Sequence, residues 1–217
     1  VIVTGKNPGS WADGIRVAIL DCKADQILEL PSTGIATVGL GVTQSISSIL
    51  PGVGAGTTLD GVLKGIITQV EGAQAYVKVV SHVSAAGTET AVDYQQNGIY
   101  QFGTSNNITV VTNAGVAAAH TSVNATADWF DQQTLATSTN NVGVGTSVAT
   151  IQWNILADRP GTSDYASARG ARFDELHVVV LDGDGKITGN AGTVLEKHLS
   201  LSKAKDAEFS VGSPSYW

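Results

Sequence analysis

Methionine is absent from all 217 residues, and cysteine occurs once, at Cys22. A lone cysteine excludes an intrachain disulfide and any cysteine-rich metal site. Following the apolar run 15–20, Cys22 is expected as a small core or strand-end residue. Charge is scarce as well. Asp, Glu, Lys and Arg make up 14% of the chain, against the usual quarter, and the stretches 30–59, 94–127 and 132–157 contain none of them. These stretches are built from Gly, Ser, Thr, Asn, Val and Ala, so they are uncharged without being greasy. They suit sheets, loops and surfaces covered by another subunit, whereas a disordered tail carries more charge. With 12 basic against 19 acidic residues the net charge is −7. No basic cluster is available to replace phosphate counterions, which excludes a nucleic-acid groove. Long apolar runs are missing too. The uncharged stretch 35–53 is broken by Gln44, several serines and Pro51 and cannot span a bilayer, and the N-terminus has no basic region followed by an apolar core. A complete gene product opens on methionine, and a ring at the very end, Trp217, has nothing to pack under. The chain is therefore expected to be an internal fragment of a longer protein.

Apolar content of 42% is ordinary, and the length suits one large or two small domains. Ile15, Val17 and Ile19 alternate with Arg16 and Ala18, the period of a half-buried strand. The stretch 22–56 is poorly periodic. Residues 44–50 fit a short helix, but the flanking glycines favour loops. From 59 onward the rhythm is that of strands, at 61–70, 73–81, 88–94, 99–102 and 108–111. Turn signals separate them at Glu71-Gly72, Ala86-Gly87, Asn97-Gly98 and Asn106-Asn107. Five short strands at such spacing predict an antiparallel meander closed into a small barrel. Residues 113–127 read as connection, and 148–156 as a strand carrying Trp153.

The stretch 159–206 reads as a compact module. Arg159-Pro160-Gly161 is a turn, Ser163 or Asp164 caps a helix of one or two turns, and 176–181 is a strand. Asp184-Gly185 closes a hairpin, because glycine accepts the positive φ that such turns require. Thr193, three residues before Glu196, reads as a capping box opening a final helix to about Ala204, with Leu195, His198, Leu199 and Ser202 on one stripe. The expected class is α+β with β dominant: antiparallel sheets, a few short helices, and an inserted barrel-like subdomain at 57–112 within a discontinuous domain of 1–56 and 113–217.

Each candidate reaction centre has a simpler explanation. Asp182-Gly183-Asp184 starts like a calcium loop, but Lys186, Ile187 and Thr193 stand where that loop needs an oxygen ligand, glycine and glutamate; a hairpin turn accounts for it. His82, His120, His177 and His198 show no metal-ligand spacing, and His177 and His198 read as packing or hydrogen-bonding residues. Gly161-Thr162-Ser163 lacks the strand, nucleophile and helix of a hydrolase elbow. Gly54-Ala55-Gly56 and Gly143-Val144-Gly145 do not continue as phosphate loops. No catalytic residue, cofactor or metal is expected.

Two blocks, KNPGSWADGIRVAI and RPGTSDYASARGARFDELHVVVLDGDGKITGNAGTVLEKHLSLSKAKDA, resemble the contractile tail sheath proteins of T4-like myoviruses, chiefly those of marine and cyanobacterial phages. The likeness rests on Lys6-Asn7-Pro8-Gly9, Trp11, Asp13-Gly14-Ile15, Arg159-Pro160-Gly161-Thr162-Ser163, Asp174-Glu175 with its strand, and Leu201-Ser202-Lys203-Ala204. Asp128-Trp129-Phe130 is a further anchor. About sixty residues are covered, and the middle of the chain matches no known motif. The resemblance implies a non-enzymatic virion protein, assembled in the host cytoplasm, whose copies stack in rings around a tail tube and contract to drive it into the host. Tube and baseplate contacts would lie outside this chain, which would be peripheral and monomeric alone, with neither nucleic acid nor membrane insertion. The alternative class is a carbohydrate- or cell-surface-binding β module, motivated by the uncharged segment with Tyr94, Tyr100 and Phe102 as exposed candidates.

Overall fold

A computed structural model describes residues 9–49, 58–92, 94, 100–103, 106–111, 117–120, 124–140 and 147–217. The strands are β1 (Ile15–Asp21), β2 (Gln26–Glu29), β3 (Gly41–Ile49), β4 (Thr58–Glu71), β5 (Gln74–Ser84), β6 (Glu89–Ala91), β7 (Ile108–Val111), β8 (Ala117–His120) and β9 (Asn124–Asp128). They continue with β10 (Thr134–Asn140), β11 (Ser147–Gln152), β12 (Glu175–Asp182), β13 (Thr193–Ser202), β14 (Glu208–Ser210) and β15 (Ser213–Pro214). Two four-residue helices, α1 (Trp153–Leu156) and α2 (Asp164–Ser167), lie between β11 and β12. The protein is β-dominant, with antiparallel sheets. Among the described residues no helix is long and apolar enough to cross a membrane.

The chain divides into two compact units, Val1–Cys22 with Asp131–Trp217, and Lys23–Phe130. The expected insert limits of 57 and 112 fall inside the second unit, which also takes in strands on either side. These are β2 and β3 in the stretch read as aperiodic, and β8 and β9 in the stretch read as connection. The signal for β3 was present. Val42, Gln44 and Ile46 are buried while Ser45 and Ser47 are exposed. The alternation is interrupted only because its middle inward residue is a glutamine.

In the second unit the sheet runs β8-β7-β3-β4-β5-β2-β9, with β6 on β5. β2 pairs with the Gln74–Val77 part of β5 and β6 with its Ser81–Val83 part. The expected barrel-like subdomain is a curled half-barrel; among the described residues no pairing joins β8 to β9. Its core includes Leu28, Val42, Leu63, Ile67, Val77 and Ile108. Gly65 lets this core close. A Cβ there would stand 2.6 Å from Val77 Cγ1 and 3.0 Å from Phe102 Cε2.

Residues 100–103 are not the strand expected at 99–102. Two buried glutamines hold this segment in place of a partner strand. Gln26 donates Nε2–H to Phe102 O at 3.0 Å and accepts Phe102 N–H at 2.8 Å. Gln44 donates to Gly103 O and Asn106 O, both at 2.7 Å, and accepts Gly103 N–H at 2.8 Å. Each primary amide thus mimics one rung of a β-ladder.

In the first unit β1, β12 and β13 form a three-stranded antiparallel sheet, accompanied by the hairpins β10–β11 and β14–β15. The final helix expected after Thr193 is a strand. Thr193–Ser202 pairs along β12 from Asp182↔Thr193 to Glu175↔Ser202. Alternation is confined to Leu199-Ser200-Leu201-Ser202, and the Thr-x-x-Glu spacing says nothing about a ladder formed with β12. The hairpin loop is ten residues rather than a tight turn, and Gly185 within it has φ 73°. In β1 the phase of burial is opposite to the expected one. Leu20 is buried and Ile19 is 43% exposed, because Leu20 pairs with His177 and Ala18 with Val179, the buried side of β12. Arg16 belongs to that set and lies over Gly183, where a Cβ would meet its Nε at 2.5 Å. Trp153, expected in a strand, instead opens α1 and is buried.

Candidate functional site

Three of the motif segments named above, 159–163, 174–175 and 201–204, meet at one carboxylate. Asp174, immediately before β12, is 8% exposed. Its Oδ1 accepts Ser163 N–H at 2.9 Å, and its Oδ2 accepts the Ser163 hydroxyl at 2.7 Å and the Ser202 hydroxyl. Both hydroxyls also accept an amide: Ser163 Oγ caps α2 by taking Ala166 N–H at 3.1 Å, and Ser202 Oγ takes Ala204 N–H at 3.0 Å. The main chain closes the knot, with Lys203 N–H on Asp174 O at 2.9 Å and Glu175 N–H on Gly161 O at 3.1 Å. Glu175 accepts Gly161 N–H at 2.8 Å through Oε2, and Lys203 Nζ reaches Asp21 Oδ1 at 2.6 Å. Segments 159–163, 174–175 and 201–204 are far apart in sequence and contiguous here.

The two neighbouring carboxyls are perturbed in opposite directions. Burial pushes Asp174 up, but the bonds from the Ser202 and Ser163 hydroxyls and the Ser163 amide outweigh it, and its pKa lies below the ordinary value. Burial pushes Glu175 up, opposed by the Gly161 amide and reinforced by the charge of Asp174, and its pKa lies above the ordinary value. A cavity of about 200 Å³ beside the knot is lined by Ser163, Tyr165, Glu175, Ser200, Phe209 and Ser215, among others.

The hairpin loop is organised by a second carboxylate. Asp182 is fully buried, and its Oδ2 accepts Ile187 N–H at 3.0 Å, Thr188 N–H at 2.7 Å and Thr188 Oγ1–H at 2.9 Å. Burial pushes this group up, yet the Thr188, Ile187 and Gly185 hydrogen bonds prevail and lower its pKa. These contacts fold the ten-residue loop back onto the end of β12.

The histidines do not meet. His177 is buried with both ring nitrogens engaged: Nε2–H donates to Asp158 O at 2.7 Å, and Nδ1 accepts Ser200 N–H at 2.9 Å. Ser200, at φ 53°, sits in a bulge where β13 slips past β12. His82 contacts Asp60 O at 3.1 Å and packs on Tyr100. His198 pairs with Glu196 at 3.0 Å on the surface, and His120 Nε2 is buried without a partner. Among the described residues no group of three His, Cys, Asp or Glu side chains is placed to hold a metal. Ser163 is a helix cap on a carboxylate, with no imidazole hydrogen-bonded to its hydroxyl. Cys22 is buried at the end of β1.

Of the aromatics expected to be exposed, Tyr94 and Phe102 are 3% and 2% exposed and Tyr100 is half-buried against the core. Their strand-like spacing did not reveal which side they take. The Gly54-Ala55-Gly56 and Gly143-Val144-Gly145 stretches, Lys6-Asn7-Pro8 and the Trp11 side chain lie outside the described residues. Asp128-Trp129-Phe130 ends β9, with both rings buried and Trp129 N–H on Asp25 O at 2.8 Å.

Compared with known protein families, curated proteins and solved structures, the chain matches none.

Proposed function

We propose that the chain is a structural part of a contractile phage tail sheath subunit, acting in the virion through copies of itself and not by catalysis. The observation that supports this is the use made of the resemblance motifs. Ser163, Asp174, Glu175, Ser202 and Lys203 are all engaged in bonds that tie α2, β12 and β13 together. Motifs of this kind preserve a rigid body. A subunit that stores energy in its packing and releases it by rearrangement needs bodies that move without deforming. Tube and baseplate contacts belong to regions of the subunit outside these residues, and the uncharged segments supply faces that a neighbour can cover at low desolvation cost.

Negative-stain electron microscopy of the full-length protein expressed alone tests the proposal. Tubes of uniform diameter are expected. Dispersed monomers across a range of salt concentrations would overturn it. The 217-residue chain by itself is expected to sediment as a monomer, and stable rings would contradict that part.

A further inference from the structure

The second unit carries a groove lined by hydroxyl, carboxamide and small apolar side chains. On β3 the inward residues are Val42, Gln44 and Ile46, so Thr43 and Ser45 face outward. Register places Thr109 of β7 beside Thr43, Ala119 of β8 beside Thr109, and Val62 of β4 beside Ser45. With Asn106 and Asn107 these residues and Gln44 line an open groove of about 510 Å³, within the range of small-ligand sites. A smaller hollow of about 80 Å³ continues it past Ser47, Gln101 and Gly103, sharing Gln44, Ser45 and Asn106. Among the described residues neither lining contains a charged side chain.

The groove is also built. Gln44 is 3% exposed, and its amide holds both Gly103 and Asn106. Asn106 in turn donates Nδ2–H to Ser45 O at 2.6 Å. The wall is therefore held from beneath, and little ordering is left to be done on binding.

From these features we propose that the groove binds a neutral saccharide, independently of whether the chain serves in a sheath. The hydroxyls of Thr43, Ser45 and Thr109 and the carboxamides of Asn106 and Asn107 offer donors and acceptors together, which matches sugar hydroxyls, themselves both donor and acceptor. The charges nearest the groove are already engaged, Lys64 beside Thr43 by Glu89 and Asp60 by the Ser47 hydroxyl, so phosphates, uronic acids and basic peptides would be desolvated without a free counter-charge. Val62 and Ala119 supply the apolar patch for a C–H face. The aromatic platform expected from Tyr94, Tyr100 and Phe102 is not used, so binding is weak for one copy and gains from multivalent display.

Nuclear magnetic resonance titration of the full chain tests this with maltohexaose, cellohexaose, chitohexaose and mannohexaose as neutral probes and hexagalacturonate as the charged one. At least one neutral hexasaccharide is expected to shift the amides of 43–45, 106–109 and 119 saturably at millimolar concentration. The double substitution Thr43→Val and Thr109→Val keeps the branched shape and strand preference and is expected to weaken binding about tenfold through two lost hydrogen bonds, with amide shifts elsewhere unchanged. Hexagalacturonate is expected to bind no more tightly than the neutral probes. The proposal is overturned by silence from all four neutral probes, by shifts mapping elsewhere, by tighter hexagalacturonate binding, or by unchanged affinity in the double variant. Tube formation by the full-length protein does not bear on any of these outcomes, so the two proposals fail separately.

Discussion

Replacing Asp174 measures the knot directly. In Asp174→Ala the Ser163 amide and the Ser163 and Ser202 hydroxyl protons all lose their acceptor, at a site only 8% exposed. Hydrogen bonds to a buried charged group contribute about 1.5–3 kcal/mol each, but three sharing one carboxylate do not add, so the expected loss is about 3–5 kcal/mol. Asp174→Asn keeps one oxygen for the Ser163 amide and is expected to cost about 1–2 kcal/mol. Urea unfolding followed by circular dichroism gives the magnitudes. Hydrogen exchange of peptides covering 159–177 and 196–206 shows that the loss is local to the first unit. The pH dependence supplies a second check. The folded pKa of Asp174 is lowered, so its stabilisation is complete above the unfolded value of about 3.9 and disappears as pH falls through the folded pKa. The gap between wild type and Asp174→Asn should therefore close in strong acid. Equal urea midpoints for wild type and Asp174→Ala at neutral pH, or a gap indifferent to acid, would refute the reasoning.

Other substitutions probe separate features. Glu175→Gln keeps an acceptor for Gly161 N–H and removes a half-buried charge whose pKa is raised. It should stabilise the protein at pH 7, and the benefit should fade as pH falls through the raised folded pKa towards the unfolded value of about 4.3, which melting curves across pH will show. Gln44→Leu leaves Gly103 N–H, Gly103 O and Asn106 O without their partner; a loss of about 2–4 kcal/mol is expected, with faster exchange at the Gly103 amide, and unchanged exchange would count against the glutamine rung. Gly65→Ala forces a Cβ to within 2.6 Å of Val77 Cγ1 and 2.9 Å of Lys78 O. Overpacking of this kind costs about 1–3 kcal/mol, and a variant that melts with wild type would show that β4 and β5 can part without penalty.

Much of this protein followed from local patterns alone. Alternation marked β1, β4, β5 and β7, and an apolar run marked β12. Ser163 announced a helix cap, because a side chain bonding to a main chain three residues away is a local event. What the chain left undecided depended on partners distant in sequence. Thr193–Ser202 carries a capping-box spacing, and its state was settled by a ladder with β12. The inward side of β1 was settled by its register against His177 and Val179. Gln26 and Gln44 look like surface residues until their amides take the place of a missing strand beside Phe102 and Gly103. Asp174, Ser163 and Ser202 could be named as motif residues, yet nothing local said that one carboxylate would join them across 39 residues. Propensity is carried by each residue and its neighbours, whereas pairing, burial and hydrogen-bond satisfaction belong to the folded whole. For that reason only the tertiary structure could show the knot and the groove.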